Sequence, residues 1–218
     1  MFRYQFTSGE QLSFPVGKAV CVGRNYADHI AELNNETPEE PLLFIKSNNA
    51  IVDMHKDIVI PKHSVCHNEL ELTFLIGKQL SSVSEDDAIA GVAGVGLALD
   101  LTLRDVQTQL KQKGYPWERA KAFDGSCPVS HFLKPQDTDL ESPFTFQLNV
   151  NEQVRQQGQT QKMLWSWPKL IAHISETFTL SPGDIVLTGT PKGVGRLAVG
   201  DKISADLNQQ LLLATQVV

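Results

Sequence analysis

The stretch His67-Asn68-Glu69-Leu70-Glu71-Leu72-Thr73-Phe74-Leu75-Ile76-Gly77 reads as a strand that carries two carboxylates at i and i+2. In an extended strand alternate side chains share a face, so Glu69 and Glu71 point one way and Leu70, Leu72 and Phe74 the other. Two like charges held side by side repel. Water relieves the repulsion at a solvated sheet edge, where charged side chains usually sit. A divalent cation relieves it in a site, because hard carboxylate oxygens are what Mg²⁺, Mn²⁺ or Ca²⁺ bind. The pattern therefore calls for a sheet and leaves two environments for its acidic face.

A chain of 218 residues with 41% hydrophobic content can fill one sizeable core. The formal net charge of −6 argues against nucleic acid or an anionic membrane as partner, since both reward a basic surface. Residues 1–6 show neither the apolar run nor the cleavage site of a secretory signal, and no apolar run approaches membrane-spanning length; a cytoplasmic protein is the expectation. Cys21, Cys66 and Cys127 are widely spaced with no C-x-x-C pair, and read as buried, reduced thiols.

Along the chain, residues 1–15 look like a leader of two short strands around Ser8-Gly9-Glu10, and residues 16–218 like one further unit. Residues 18–23 form a buried strand. Asn25 is placed to cap a short helix that runs to near Asn34, with Tyr26, Ile30 and Leu33 on one stripe and His29 three residues before Glu32. Asn34 to Pro41 reads as a surface loop, and residues 42–46 as a strand ending on Lys46. Ser84 followed by three acidic residues marks a helix start. An apolar strand ends on Asp100, and residues 101–111 have helical period. A hairpin turns at Asn151-Glu152, an amphipathic helix covers 167–178, and a closing hairpin turns around Asn208-Gln209. The sum is an α+β, strand-rich single domain with three or four short helices and no βαβ alternation.

Four groups of residues can carry chemistry. Asp100, alone, reads as a helix cap; with Glu69 and Glu71 it makes three carboxylates that would hold Mg²⁺ or Mn²⁺ and leave about three of six octahedral positions open. Lys46, Arg104 and Lys121 follow strand or helix ends, where an acidic protein that binds a small dianion would concentrate positive charge. The glycine-rich loop 187–195 lacks the order of a phosphate loop but can present backbone N–H groups to a carboxylate. His29, oriented by Glu32, could take a proton from water.

Several motifs, in order, look like those of the fumarylacetoacetate hydrolase family: Val20-Cys21-Val22-Gly23-Arg24-Asn25-Tyr26-Ala27-Asp28-His29; His67-x-Glu69-x-Glu71; Asp100-Leu101-Thr102-Leu103-Arg104-Asp105; Lys121; Cys127-Pro128; and Gly183 through Gly195. The likeness runs over roughly residues 16–205 and is nearest to the short acylpyruvase and oxaloacetate decarboxylase branch through Gly23-Arg24-Asn25-Tyr26, Pro116-Trp117 and Ser126-Cys127-Pro128-Val129-Ser130. The resemblance implies a β-rich, mixed-sheet fold and a homodimer. It implies Mg²⁺ or Mn²⁺ on Glu69, Glu71 and Asp100, substrate contacts from Arg24, Arg104, Gln107 and Thr190, and catalytic roles for Lys121 and a His29–Glu32 dyad on a lid helix. The expected activity is C–C cleavage of a small 2-oxo acid through a metal-bound pyruvate enolate, by 3-acylpyruvate hydrolysis or oxaloacetate decarboxylation. The alternatives are a 2-hydroxyhepta-2,4-diene-1,7-dioate isomerase or decarboxylase and, from another class, a non-catalytic metal-stabilised binding module. Asn68 stands where a second histidine is often found, and Arg196 where proline is common.

Overall fold

A strand buried along its whole length lies in the middle of a molecule, and residues 70–76 form such a strand although Glu71 and Thr73 stand on one of its faces. The computed structural model describes residues 2–33 and 36–218. The elements run β1 (Ala19–Val22), α1 (Ala27–Glu32), β2 (Leu43–Lys46), β3 (Ile51–Asp53), β4 (Cys66–Asn68), β5 (Leu70–Ile76), α2 (Glu85–Ala90), β6 (Val92–Leu99), β7 (Thr102–Leu103) and α3 (Arg104–Lys113). They continue with α4 (Glu118–Lys121), β8 (Cys127–Val129), β9 (Thr145–Val150), β10 (Gln153–Gln159), α5 (Trp167–Thr177), β11 (Ile185–Leu187), β12 (Gly195–Arg196), β13 (Lys202–Leu207) and β14 (Leu211–Gln216).

Three sheets result: a seven-stranded one in the order β2-β1-β11-β5-β6-β8-β3, a four-stranded one in the order β10-β9-β13-β14, and a three-stranded one in the order β12-β4-β7. β1 runs parallel to β11 and β3 to β8, while the other strand pairs are antiparallel. The strand period of two divides the large sheet between two apolar layers. Val20, Val22, Leu72, Phe74 and Leu97 join a core completed by α5 and the four-stranded sheet, with Phe74 stacked on Trp167 at 4.4 Å. Ala19, Cys21, Leu75, Ala98 and Leu187 face a second layer with Tyr4, Phe6 and Leu12. The leader thus covers a face of the sheet, although between Phe2 and Pro15 it makes only isolated bridges, Gln5 to Gln11 and Phe6 to Phe132, where two strands were expected.

Other expectations need correction. Five α-helices appear among the described residues, α4 being the one the period missed. Asn25 does not cap α1, whose N-cap position is Tyr26 without a side-chain cap bond. Its amide instead donates to the carbonyls of Thr188 and Trp165 and accepts from Trp165 N–H, joining three segments. The expected end of that helix at Asn34, and the loop residues Asn34 and Asn35, lie outside the described residues, as does Met1. The hairpins at Asn151-Glu152 and Asn208-Gln209 form as expected, each turn with two positive-φ residues, which suits the right-handed twist of a two-residue hairpin. Ser84 caps α2 through the Asp87 N–H. No helix among the described residues is long and apolar enough to cross a membrane.

Candidate active site

The acidic strand is not one strand. It breaks at Glu69, which lies between β4 in the three-stranded sheet and β5 in the seven-stranded sheet. Every residue of β5 is buried, so no solvated acidic edge exists: Glu69 is 5% exposed and Glu71 1%. Asp100, just past the end of β6, pairs back to the same break through its N–H to the Glu69 carbonyl at 2.8 Å. It is no helix cap, since β7 intervenes and α3 starts at Arg104.

Glu69, Glu71 and Asp100 each offer one oxygen, and these lie within 4.8 Å of one another. Three buried carboxylates so close need positive charge, and the protein distributes its own unevenly. Lys121 Nζ donates to Glu69 Oε2 at 2.8 Å, to Asp100 Oδ2 and to Thr102 Oγ1 at 2.7 Å. Arg104 donates to Glu69 Oε1 and, at 2.7 Å, to Gln107 Oε1. Lys46, fully buried, sits 2.8 Å from Asp100 Oδ1 but donates to the carbonyls of Lys121 and Ser126 and to Ser126 Oγ, so Asp100 Oδ1 has no aligned donor. Among the described residues Glu71 receives only the Gly189 N–H, at 2.6 Å on Oε2.

The titration behaviour follows from this asymmetry. Burial would raise the Glu69 carboxyl, but Lys121, then Arg104 and His29, hold it well below the carboxylate range. Burial and the charges of Asp100 and Glu69 push Glu71 well above its ordinary value of 4.5, against the weaker pull of Lys121 and Gly189. Burial would lower Lys121, yet Asp100 and Glu69 keep it a firm ammonium. The donor set therefore fits a hard divalent cation: all-oxygen, convergent, with one buried oxygen lacking an aligned donor and one carboxylate short of a counter-charge.

His29, buried on α1, lines the same small cavity as Glu69, Arg104, Gln107 and Lys121. Its Nδ1 lies 3.2 Å from Glu32 Oε2, and Glu32 Oε1 accepts the Gly193 N–H at 3.0 Å. The glycine-rich loop thus does present N–H groups to carboxylates, but to Glu71 and Glu32 of the protein itself. Gly193 has φ +98°, and a Cβ there would stand 1.8 Å from the Arg155 carbonyl, so only glycine makes this contact without rearrangement. Arg24 also lines the cavity. Thr190 sits beside the cluster with its hydroxyl proton on the Leu70 carbonyl at 2.8 Å and a lone pair taken by Gln156 Nε2 at 2.8 Å, so it positions the loop rather than offering a free donor.

Residues that the sequence pattern did not single out complete the site. Gln156 is buried and satisfied on all sides: it accepts from Asn68 Nδ2 and Leu70 N–H and donates to Thr190 Oγ1 and the Pro191 carbonyl. Lys111 lines the cavity, and its i+7 spacing from Arg104 was the available signal. Arg196, exposed on β12 beside His67, adds no cation to the cavity lining. All three cysteines are buried; burial pushes the thiols of Cys66 and Cys127 up to about 12 and that of Cys21 well above its ordinary value, consistent with inert core thiols.

The model of the fumarylacetoacetate (FAA) hydrolase C-terminal family matches residues 18–218. The chain is 47% identical over 206 residues to oxaloacetate tautomerase YcgM of Escherichia coli (strain K12), covering 94% of each. Its structure is similar to that of a fumarylacetoacetate hydrolase family protein from Yersinia pestis CO92, with TM-score 0.96 and 44% identity over the whole of both chains. It is also similar to fumarylpyruvate hydrolase from Pseudomonas aeruginosa in complex with Mn²⁺ and pyruvate, with TM-score 0.92 and 31% identity over 100% of this chain and 95% of that one. From the match over residues 18–218, the chain belongs to the fumarylacetoacetate hydrolase family.

Proposed function

We propose that the protein is a divalent-metal-dependent enzyme acting at C3 of small 2-oxo acids, with keto–enol tautomerisation of oxaloacetate as its leading reaction. The observation that carries this reading is a histidine, oriented by a carboxylate, in one small cavity with Arg104, Lys121 and Glu69, the member of the three-carboxylate cluster that reaches the cavity wall. The oxaloacetate tautomerase from E. coli supports the substrate, and the Mn²⁺ and pyruvate of the Pseudomonas hydrolase support the metal and the 2-oxo acid.

Mg²⁺ or Mn²⁺ held by Glu69, Glu71 and Asp100 would supply Lewis acidity that makes the C3–H of a 2-oxo acid easier to remove. With His29 Nδ1–H donated to Glu32, Nε2 carries the lone pair and is the base for that proton. Gly193 holds Glu32, so the ring keeps its orientation between turnovers. Lys121, held charged by Glu69 and Asp100, would place a fixed positive charge near the developing negative charge, with no reorganisation during reaction. Arg104, braced by Gln107, places the substrate carboxylate. Returning the proton to the C2 oxygen yields the enol. The same base directed at water would hydrolyse a 3-acylpyruvate, while loss of carbon dioxide from oxaloacetate needs no base. A cytoplasmic homodimer belongs to the same proposal, as does the lack of nucleic-acid or membrane partners, for which the net charge of −6 speaks.

The test follows the ultraviolet absorbance of enol-oxaloacetate. Turnover should vanish in chelator, return with Mg²⁺ or Mn²⁺, and be abolished by Glu69→Gln. His29→Ala should slow tautomerisation by roughly 10²- to 10⁴-fold and decarboxylation much less. Full activity in chelator would refute the metal, and equal losses in the two reactions would refute His29 as the C3 base.

A further inference from the structure

Arg104, Gln107 and Lys111 fall at i, i+3 and i+7 on α3, one stripe of the helix, and all three line the cavity. The first two are committed near the carboxylate cluster: Arg104 to Glu69 and Gln107, and Gln107 to Arg104. Lys111 lies about 10 Å further along the helix axis. Its ammonium stands 5.1 Å over the ring of Trp117, which lines the same cavity and fixes the lysine stem against it. Among the described residues no carboxylate lies within ion-pair distance of Lys111, unlike Lys46, Lys121 and Arg104. The charged groups that face it are cations, Arg24, Arg104 and Lys121, with Glu69 more weakly felt. An exposed lysine is ordinarily just solvated. One laid along an aromatic wall, lining a cavity already lined by three cations, is in a place that a bound anion would make favourable.

We propose that Lys111 clamps the distal carboxylate of the substrate and so selects 2-oxo dicarboxylates over 2-oxo acids whose far end is neutral. The inference rests on the 2-oxo acid reading above. The 2-oxo acid end lies at the carboxylate cluster and Arg104, and the far end reaches toward the mouth, where Lys111 waits. Oxaloacetate and acetylpyruvate separate this contact from the rest of the site. They share C1 to C3 and nearly the same length, and differ in carrying a carboxylate or a methyl ketone at the far end.

The experiment compares apparent affinities for the two acids in the Mg²⁺- or Mn²⁺-supplemented protein: KM where an acid is turned over, inhibition constant where it only competes. Lys111→Met should lower the preference for oxaloacetate over acetylpyruvate about tenfold, with the change in KM and little in kcat, the size expected for a partly exposed charge-assisted contact. Lys111→Arg should restore most of it. An unchanged preference, a loss carried by kcat, or an Arg variant as impaired as the Met variant overturns the assignment while leaving the 2-oxo acid reading intact. If the parent protein neither turns over nor binds either acid, that reading falls, and the clamp with it.

Discussion

Replacing Glu71 by Gln should stabilise the metal-free protein. Glu69 has Lys121 and Arg104, and Asp100 has Lys46 and Lys121, but Glu71 has one backbone N–H. Burial and two neighbouring carboxylates raise its carboxyl well above 4.5, so the fold holds a proton that the unfolded chain gives up above that pH. A raised folded value means that this contribution is fully present below about pH 4.5 and is lost as pH rises toward the folded value. Gln does not titrate and can still accept from Gly189. The variant's advantage should therefore be near zero at pH 4.5 and grow with pH, by at most about 1.4 kcal/mol per pH unit, until the folded value is passed. For a chain of this size each kcal/mol corresponds to roughly 2–4 °C in melting temperature. Calorimetry in chelator from pH 5 to 8 measures the gap. Added Mg²⁺ or Mn²⁺ should narrow the gap and, at about a thousand times its Kd, where a ligand stabilises by about 4.1 kcal/mol, reverse the order, because the variant's neutral amide is a weaker ligand than the carboxylate. A metal-free variant that melts below the parent at pH 7, or a gap that fails to widen with pH, would refute the account of the cluster.

Two other substitutions test the groups around it. Lys121→Met removes the shared cation from two buried carboxylates and should cost about 3–5 kcal/mol by urea titration in chelator, along with turnover; partial recovery of stability on adding Mg²⁺ would show that charge, not packing, was lost. Gln156→Leu leaves the Asn68 amide, the Leu70 N–H and the Pro191 carbonyl without their buried partner. It should destabilise by about 2–4 kcal/mol and lower kcat as the Thr190 loop loosens, both read on the same preparation by urea titration and the enol assay.

The carboxylates were legible in the sequence because a two-residue period constrains direction: Glu69 and Glu71 had to share a face, and Asp100 ended a strand that pairs with theirs. What the period could not supply was the break at Glu69, which arises because β4 and β5 pair with strands of different sheets, β12 and β7 for one, β11 and β6 for the other. The burial of the acidic groups was equally hidden, since the groups packed against them, Lys46, Lys121 and Gly189, come from other segments of the chain. Asn25 shows the same limit. A local rule offers it a helix to cap, whereas long-range bonds to Thr188 and Trp165 claim its amide. Gln156 sits in an ordinary polar strand, Gln153 to Gln159, and nothing local distinguishes it from the other glutamines there.

Charge balance links the cluster to the substrate it is proposed to take. Glu69, Glu71 and Asp100 against Lys46, Lys121 and Arg104 sum to zero when all are ionised, yet the pairing leaves Glu71 unmatched. A divalent cation placed at Glu71 satisfies that carboxylate and leaves the buried group two charges in excess. A dianionic substrate returns the sum to zero, while a monoanion leaves a net positive charge in a low-dielectric cavity, where uncompensated charge is costly. On the proposed reading, preference for a diacid would be built in twice, by the excess at the carboxylate cluster and by Lys111 at the mouth. Because coupling between two ligands is reciprocal, the acid that best neutralises the excess is also the one that most tightens the hold of Glu69, Glu71 and Asp100 on the metal.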